Sequence, residues 1–243
     1  AGYHTTLGSG PTCKSLGKTD YNFLWDRAAY DGINWRDAPK DRPFFAQIML
    51  SGGKNRKCKE HATDPAKVSL PPHYADHPVL REDWADYLNS WVQQDVEVGE
   101  ILKQFGDADL LDSTAIFYWT DHGMVHLRAK QFLYDEGIRV PLIVRLPGGR
   151  SAGTVREDLV LQIDIAAASL ALAGIPIPEN VQGRDFLAPD YRPRQAMFAA
   201  RDRCDETPDI IRCVRTPRYK YIRNFMAHCS HMQPNQYKDG KEI

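Results

Sequence analysis

Asp121-His122-Gly123 closes the run Thr114–Thr120, TAIFYWT, whose β-branched and aromatic residues predict a strand buried on both faces. In open α/β sheets, ligands collect beyond the carboxyl ends of the strands. A carboxylate at that place is a hard oxygen ligand for Ca²⁺ or Mg²⁺. The adjacent imidazole can add a nitrogen ligand or hydrogen-bond a bound anion, and Gly123 lets the backbone turn away sharply. Taken alone, the triplet also fits a plain polar strand-to-loop turn. Two basic stretches add anion-binding chemistry. Gly52-Gly53-Lys54-Asn55-Arg56 can cradle a substrate anion through Lys54, or it is a solvated basic turn. Arg201, Arg203, Arg212, Arg215, Arg218, Lys220 and Arg223 concentrate positive charge near the C-terminus, where they, Arg201 among them, can line a cleft for a polyanion. Alternating outward charges on an edge ribbon produce the same pattern.

The elements that must carry these residues read as follows. Phe44–Leu50, FFAQIML, predicts a buried strand after Pro43, stopped by Ser51-Gly52-Gly53. The polar stretch 54–78 reads as a long surface loop, and residues 1–42 as loop with partial structure. Trp84, Tyr87, Leu88, Trp91, Val92, Asp95, Val98, Ile101, Leu102 and Phe105 recur at helical spacing. Glu82 and Asp83 suit the first turn of that helix and Gly106 its end. Its aromatic residues Trp84, Trp91 and Phe105 read as core. Val140–Leu146 predicts another strand, and 160–173 a helix stopped by Gly174. Strands alternating with helices give an α/β fold with a mostly parallel central sheet flanked by helices. After about Pro193, short strands at 196–200, 210–214 and 219–223 predict a small antiparallel ribbon. The expected division is therefore an α/β domain over 1–192 and a small β subdomain over 193–243.

The bulk properties narrow the function. A net charge of −1 gives no global attraction to nucleic acid. No apolar run approaches the ~20 residues needed to span a bilayer. Five cysteines contain no Cys-x-x-Cys pair, so zinc-ribbon spacing is absent. Cys204 and Cys213 either bridge a hairpin or remain two buried thiols. The chain opens at Ala1-Gly2-Tyr3 without an initiator Met, which is expected of a processed or partial chain.

The run Ile116–Arg145, IFYWTDHGMVHLRAKQFLYDEGIRVPLIVR, resembles the sulfatase family of the alkaline phosphatase superfamily. Members show a strand, Asp-(Asn/His)-Gly, a variable loop, Lys, then Tyr-Glu-x-Gly-x-Arg-x-Pro and another strand. Lys130 stands before Tyr134 at the family's spacing, and Asp135-Glu136-Gly137-Ile138-Arg139-Val140-Pro141 completes the match. Further matches are Ala1-Gly2-Tyr3-His4-Thr5, Pro43-Phe44-Phe45, Leu70-Pro71-Pro72, the helix through Asp95, and Asp164 with Leu172-Ala173-Gly174-Ile175 and Gly183.

The resemblance implies an alkaline-phosphatase-like sandwich and hydrolysis of sulfate esters or sulfamates, of a carbohydrate by expectation. It implies a divalent cation, Ca²⁺ or else Mg²⁺, with Asp121 and His122 as one pair of its ligands. Lys130 matches the lysine that contacts the sulfate group, and an ammonium there would stabilise charge as the S–O bond breaks. His126 lies in the loop where members place a histidine near the leaving-group oxygen, as a candidate general acid. Lys54 falls roughly where the family has a histidine after its Pro-Phe-Phe strand. Arg139 is expected to be structural, paired with an acid near Asp135 or Glu136. A periplasmic, secreted or lysosomal location also follows from the resemblance alone.

The sequence departs from the family in one region. Sulfatases make formylglycine from Cys or Ser in Cys/Ser-x-Pro-x-Arg, and no cysteine here has Pro two residues on. GSGPTCKSLGKTD stands where Gly-Lys-x-His is usual, with Gly17-Lys18 as a remnant and Asp20 in the histidine's place. The expectation is the C-terminal part of a longer enzyme, silent by itself, whose nucleophile and remaining metal carboxylates lie outside this chain. Two other readings stand beside it: a phosphodiester or phosphonate monoester hydrolase of the same superfamily, and a non-catalytic binding module derived from a sulfatase.

Overall fold

The structure, a computed structural model, describes residues 2–19, 21, 23–52, 56, 62–126, 128–204, 206–230 and 236. It divides into two compact units, 1–111 and 112–242. The boundary expected near Pro193 falls inside the second unit.

In the first unit, strand β1 (His4–Ser9) pairs in parallel with β3 (Phe44–Met49), in register from His4↔Phe44 to Ser9↔Met49. The short β2 (Ser15–Leu16) adds antiparallel on the other edge of β1. The N-terminal region is thus more ordered than its composition predicts. The buried residues of β1 include His4, Thr6 and Gly8 beside Leu7, so apolar alternation does not reveal the strand. β3 is half-buried rather than buried, with Phe45 and Met49 exposed. Three 3₁₀ turns, at Arg27–Ala29, Trp35–Asp37 and Pro65–Lys67, start on Asp26, Asn34 and Asp64. Each of these side chains accepts the amide two residues on, which is how Asx residues nucleate turns.

Helix α1 (Pro78–Asp107) begins earlier than the acidic pair at 82 and 83 suggests. Pro78 takes the first helical position, where a missing N–H costs nothing, and His77 Nδ1 accepts the Val79 amide at 3.3 Å. Glu82 and Asp83 therefore fall beyond the first turn, and Gly106 lies inside the helix. Phe105 is core, stacked on Trp35 and Phe44 at 4.5 and 5.9 Å between ring centres. Trp84 and Trp91 are half-buried members of a ring ladder with Tyr74 and Tyr87. The middle of the helix buries polar groups instead. Asn89 Oδ1 accepts from the amide and hydroxyl of Thr63, Gln94 Oε1 from the amide of Gly52, and Glu97 from the amide and hydroxyl of Ser51.

In the second unit, β4 (Ile116–Trp119) and β5 (Leu142–Arg145) pair antiparallel, from Ile116↔Arg145 to Trp119↔Leu142. The parallel pairing of the expected sheet is seen between β1 and β3. Among the described residues, the connection between β4 and β5 holds the one-turn helix α2 (Asp135–Ile138) and no long crossover helix of the kind a parallel return requires. Trp119 is partly exposed, so β4 is not buried on both faces.

Helix α3 (Gln162–Leu172) ends at Gly174, whose φ of 68° makes the left-handed stop. Asp164, fully buried, accepts the amides of Leu161 and Arg184 and pairs with the Arg194 guanidinium. A β-carbon on Gly183 would lie 2.1 Å from the Ile163 carbonyl oxygen, so only glycine passes there.

Strands β6 (Met197–Cys204), β7 (Thr207–Arg215) and β8 (Lys220–Asn224) form the expected antiparallel ribbon. Ile211 and Cys213 of β7 share a core with Leu133, joined by Ile138, Ala199 and Ile222. Cys213 is a free thiol opposite Ala199, while Cys204 stands opposite Thr207. The hairpin disulfide is therefore not formed. Among the described residues, no helix is long and apolar enough to cross a membrane.

Candidate functional site

The site grows from the end of β4. Thr120 donates its hydroxyl to the His122 carbonyl at 2.9 Å, and Gln162 Nε2 donates to the Thr120 carbonyl at 2.6 Å. The turn bearing Asp121 and His122 is thereby anchored to the first residue of α3. Neither Thr120 nor Gln162 stands out in the sequence, although a Thr at a strand-to-loop turn is a residue that closes such turns with its hydroxyl.

Asp121 and His122 converge, with Asp121 Oδ1 3.7 Å from His122 Nε2. The Asp121 side chain is 64% exposed and that of His122 22%. The other ring nitrogen, Nδ1, lies 2.6 Å from the Gly123 carbonyl oxygen. That contact gives Nδ1 the proton in the neutral ring and leaves Nε2, the nitrogen nearer Asp121, with its lone pair. One hard oxygen and one imidazole nitrogen side by side fit an edge of a cation's coordination sphere. A calcium ion takes six to eight ligands. Among the described residues, no group of three or more His, Cys, Asp or Glu gathers around a common point. The donor set here fits part of a metal site, and other ligands must complete it.

Gly123 then packs backbone to backbone against α2. Its amide donates to the Gly137 carbonyl at 3.0 Å, and a β-carbon on it would lie 1.8 Å from the Glu136 carbonyl oxygen. Gly137 is equally enclosed, because a β-carbon there would meet the carbonyl oxygens of Phe132 and Ala129 at 2.2 and 2.4 Å.

The loop that returns from Gly123 carries the other predicted residues. The Lys130 amide donates to the Met124 carbonyl at 2.9 Å, which folds Lys130 back beside the turn bearing Asp121 and His122. Arg128 and Gln131 flank Ala129-Lys130 with φ of 63° and 81°. Left-handed conformations at non-glycine residues cost about 1–3 kcal/mol each and cluster at functional sites. Arg128 also lies over the Tyr134 ring at 4.4 Å. Lys130 itself is half-buried, and His126 is buried to 9% exposure, with its carbonyl accepting the Ala129 amide.

Arg201 sits at the base of this loop. Its guanidinium lies 4.6 Å from the Phe132 ring centre and donates to the Gln131 carbonyl at 3.0 Å. It faces Asp209 at 3.5 Å, the two side chains being 8% and 3% exposed. Other basic residues of the ribbon also have partners on the protein. Arg212 meets Asp202 at 2.6 Å, while Lys220 and Arg215 meet Asp135 at 2.7 and 3.8 Å. The hydrogen bond from Lys220 holds the Asp135 carboxyl below its ordinary range. Asp135 is thus paired mainly with the ribbon, with the Arg139 charge acting on it more weakly.

Lys54 lies outside the described residues. Its neighbour Arg56 ion-pairs with Asp83 at 3.7 Å and covers the Tyr87 ring at 4.9 Å. The structure therefore brings together Asp121 and His122, folds Lys130 and His126 into the adjoining loop, and fixes Arg201 beneath that loop.

The sulfatase family profile matches residues 2–175, and that of the C-terminal part of N-sulphoglucosamine sulphohydrolase matches residues 121–242. An ulvan-active sulfatase from Formosa agariphila is 28% identical over 95% of this chain and 46% of its own length. An N-acetylglucosamine-6-O-sulfatase from Bacteroides thetaiotaomicron is 32% identical over 40% of this chain and 18% of its own. The solved phosphonate monoester hydrolase from Silicibacter pomeroyi superposes with a TM-score of 0.62 at 20% identity, covering 75% of this chain and 48% of that one. The chain spans less than half the length of each. The structural likeness places the fold as the alkaline-phosphatase-like α/β type, with a small antiparallel C-terminal sheet.

Proposed function

This chain belongs to the sulfatase family, and from that premise we propose that it is the C-terminal part of a sulfuric ester hydrolase acting on a sulfated carbohydrate. The observation that carries the reading is the loop in which Asp121 and His122 converge at 3.7 Å while the Lys130 amide is bonded to Met124 at 2.9 Å. An oxygen donor, a nitrogen donor and an ammonium are thereby gathered on one short, backbone-locked segment. Carbohydrate as substrate class is supported by the relatives named for ulvan and N-acetylglucosamine-6-O-sulfate. A relative named as an extracellular sulfatase supports export of the parent protein.

In this reading Asp121 and His122 hold one side of a Ca²⁺ or Mg²⁺ ion. That cation, when bound, neutralises the sulfate anion and lowers the pKa of an attacking hydroxyl. Lys130 offers its ammonium to a sulfate oxygen, where charge grows as the S–O bond lengthens. His126, on the same loop, gives a proton to the departing alcohol. The nucleophile, a formylglycine by the family's chemistry, is supplied from outside these 243 residues, which contain no Cys/Ser-x-Pro-x-Arg.

The test is turnover of 4-nitrophenyl sulfate and of a phenylphosphonate monoester by the full-length natural polypeptide, with this chain alone run in parallel. Sulfate release by the full-length protein and none by the chain alone is the expected result. Sulfate release by the chain alone, or faster release from the phosphonate, would overturn it.

A further inference from the structure

We propose that Arg201 is a positioning residue for Lys130, acting through the backbone of Gln131 and not by touching substrate. The proposal rests on the reading of Lys130 as a sulfate-contacting residue.

Three contacts fix the guanidinium. It stacks on Phe132 at 4.6 Å, an arrangement that the ring's negative face favours. It donates to the Gln131 carbonyl at 3.0 Å, a bond strengthened by the full positive charge on the donor. It faces the buried carboxylate of Asp209, on β7, at 3.5 Å. With its side chain 8% exposed, Arg201 has little surface left to offer a substrate anion.

What it holds is a residue that would not keep its conformation unaided. Gln131 has φ of 81°, and Arg128 on the other side of Lys130 has φ of 63°. Arg128 is braced by the Tyr134 ring. On the C-terminal side, the donated hydrogen bond of Arg201 lands on Gln131 itself. The two braces keep Lys130 in the position where its amide reaches the Met124 carbonyl. Phe132 extends the same device, because the ring under the guanidinium belongs to the residue after Gln131. Arg201 thus grips two consecutive residues and ties them to the β6–β7 hairpin.

The experiment is a double-mutant cycle in the full-length polypeptide with 4-nitrophenyl sulfate as probe. It uses Arg201→Ala and Lys130→Ala, singly and together, with amide hydrogen exchange read at Lys130. Arg201→Ala is expected to lower kcat about 10²-fold with little change in KM, since small misplacements of a catalytic group cost that much. It should also speed exchange at the Lys130 amide. In the Lys130→Ala background the Arg201 substitution should have almost no further effect, because coupled residues are non-additive. Arg201→Lys keeps the charge and one donor but loses the planar fork. It should restore part of kcat, and it carries the same cycle if Arg201→Ala does not fold. Equal losses from the Arg201 substitution in both backgrounds, or a rise in KM with kcat unchanged, would overturn the proposal. Full activity of Lys130→Ala would remove the reading of Lys130 on which it rests.

Discussion

Gly123 and Gly137 meet backbone to backbone, the amide of the first donating to the carbonyl of the second at 3.0 Å. The contact joins the turn bearing Asp121 and His122 to α2 with no side chain between them. A β-carbon on Gly123 would stand 1.8 Å from the Glu136 carbonyl oxygen, closer than any atom pair can settle. The obstacle is main chain and cannot swing aside.

Gly123→Ala should therefore destabilise the protein by about 3 kcal/mol, the upper part of the usual range for overpacking. Urea unfolding of the full-length protein measures it. A loss below about 0.5 kcal/mol, the range of ordinary surface changes, would mean that the two turns separate easily.

A cation held by Asp121 and His122 stabilises the folded state by mass action, since the unfolded chain has no assembled site. Calcium at 100 times its dissociation constant should add about 2.7 kcal/mol. The melting temperature of the full-length protein should rise accordingly, and Asp121→Ala should abolish most of the rise. An unchanged calcium response in that variant would remove Asp121 from the metal site.

The Asp135–Lys220 pair gives a pH signature. The Lys220 hydrogen bond lowers the Asp135 pKa in the folded state below its ordinary value of 3.8. A depressed carboxyl contributes stability above its unfolded pKa and loses it as pH falls through the folded pKa. The pair, partly exposed at Asp135, is worth up to about 1 kcal/mol. Asp135→Asn should thus be less stable than the parent at pH 7, and the gap should close below pH ~4, the unfolded carboxyl's range. Unfolding curves at a series of pH values test this, and a gap that widens on acidification would refute it.

Asp164 and Arg194 form a pair with side chains 0% and 11% exposed. Removing one charge leaves the other buried without its counterion, at a cost of about 3–5 kcal/mol. Asp164→Asn should show that loss in thermal or urea unfolding. A smaller cost would mean that the carboxyl serves mainly to accept the Leu161 and Arg184 amides, a task an asparagine oxygen partly keeps, rather than to neutralise Arg194.

What the sequence reveals and what it hides follow a physical division. β3, β4, β5, α3 and the three-stranded ribbon announce themselves through apolar runs and glycine stops, because burial and turn geometry act on side-chain type. β1 does not, since His4, Thr6 and Gly8 fill its buried positions. The start of α1 is hidden because its cap is a histidine ring, outside the usual Ser, Thr, Asp and Asn. Asp121, His122 and Lys130 are legible as a motif. The devices that aim them are not: left-handed φ at Arg128 and Gln131, and hydrogen bonds from Thr120 and Gln162 to carbonyls. Such contacts end on main-chain carbonyls that every residue possesses, so the sequence does not show which carbonyl a given side chain reaches. Arg201 is visible as one basic residue among many, and only its surroundings distinguish it.

Helix α1 grips the segment that follows β3 at both ends, through Glu97 and Gln94 at Ser51 and Gly52 and through Asn89 at Thr63. These are moorings by carboxylate and amide, and between them Arg56 adds a third through Asp83 and the Tyr87 ring. A chain fastened in this way can gain or lose residues between the fastenings without disturbing the helix, since lengthening a loop costs only the logarithm of its length. Insertions or deletions between such fastenings would leave the helix and its two terminal contacts in place.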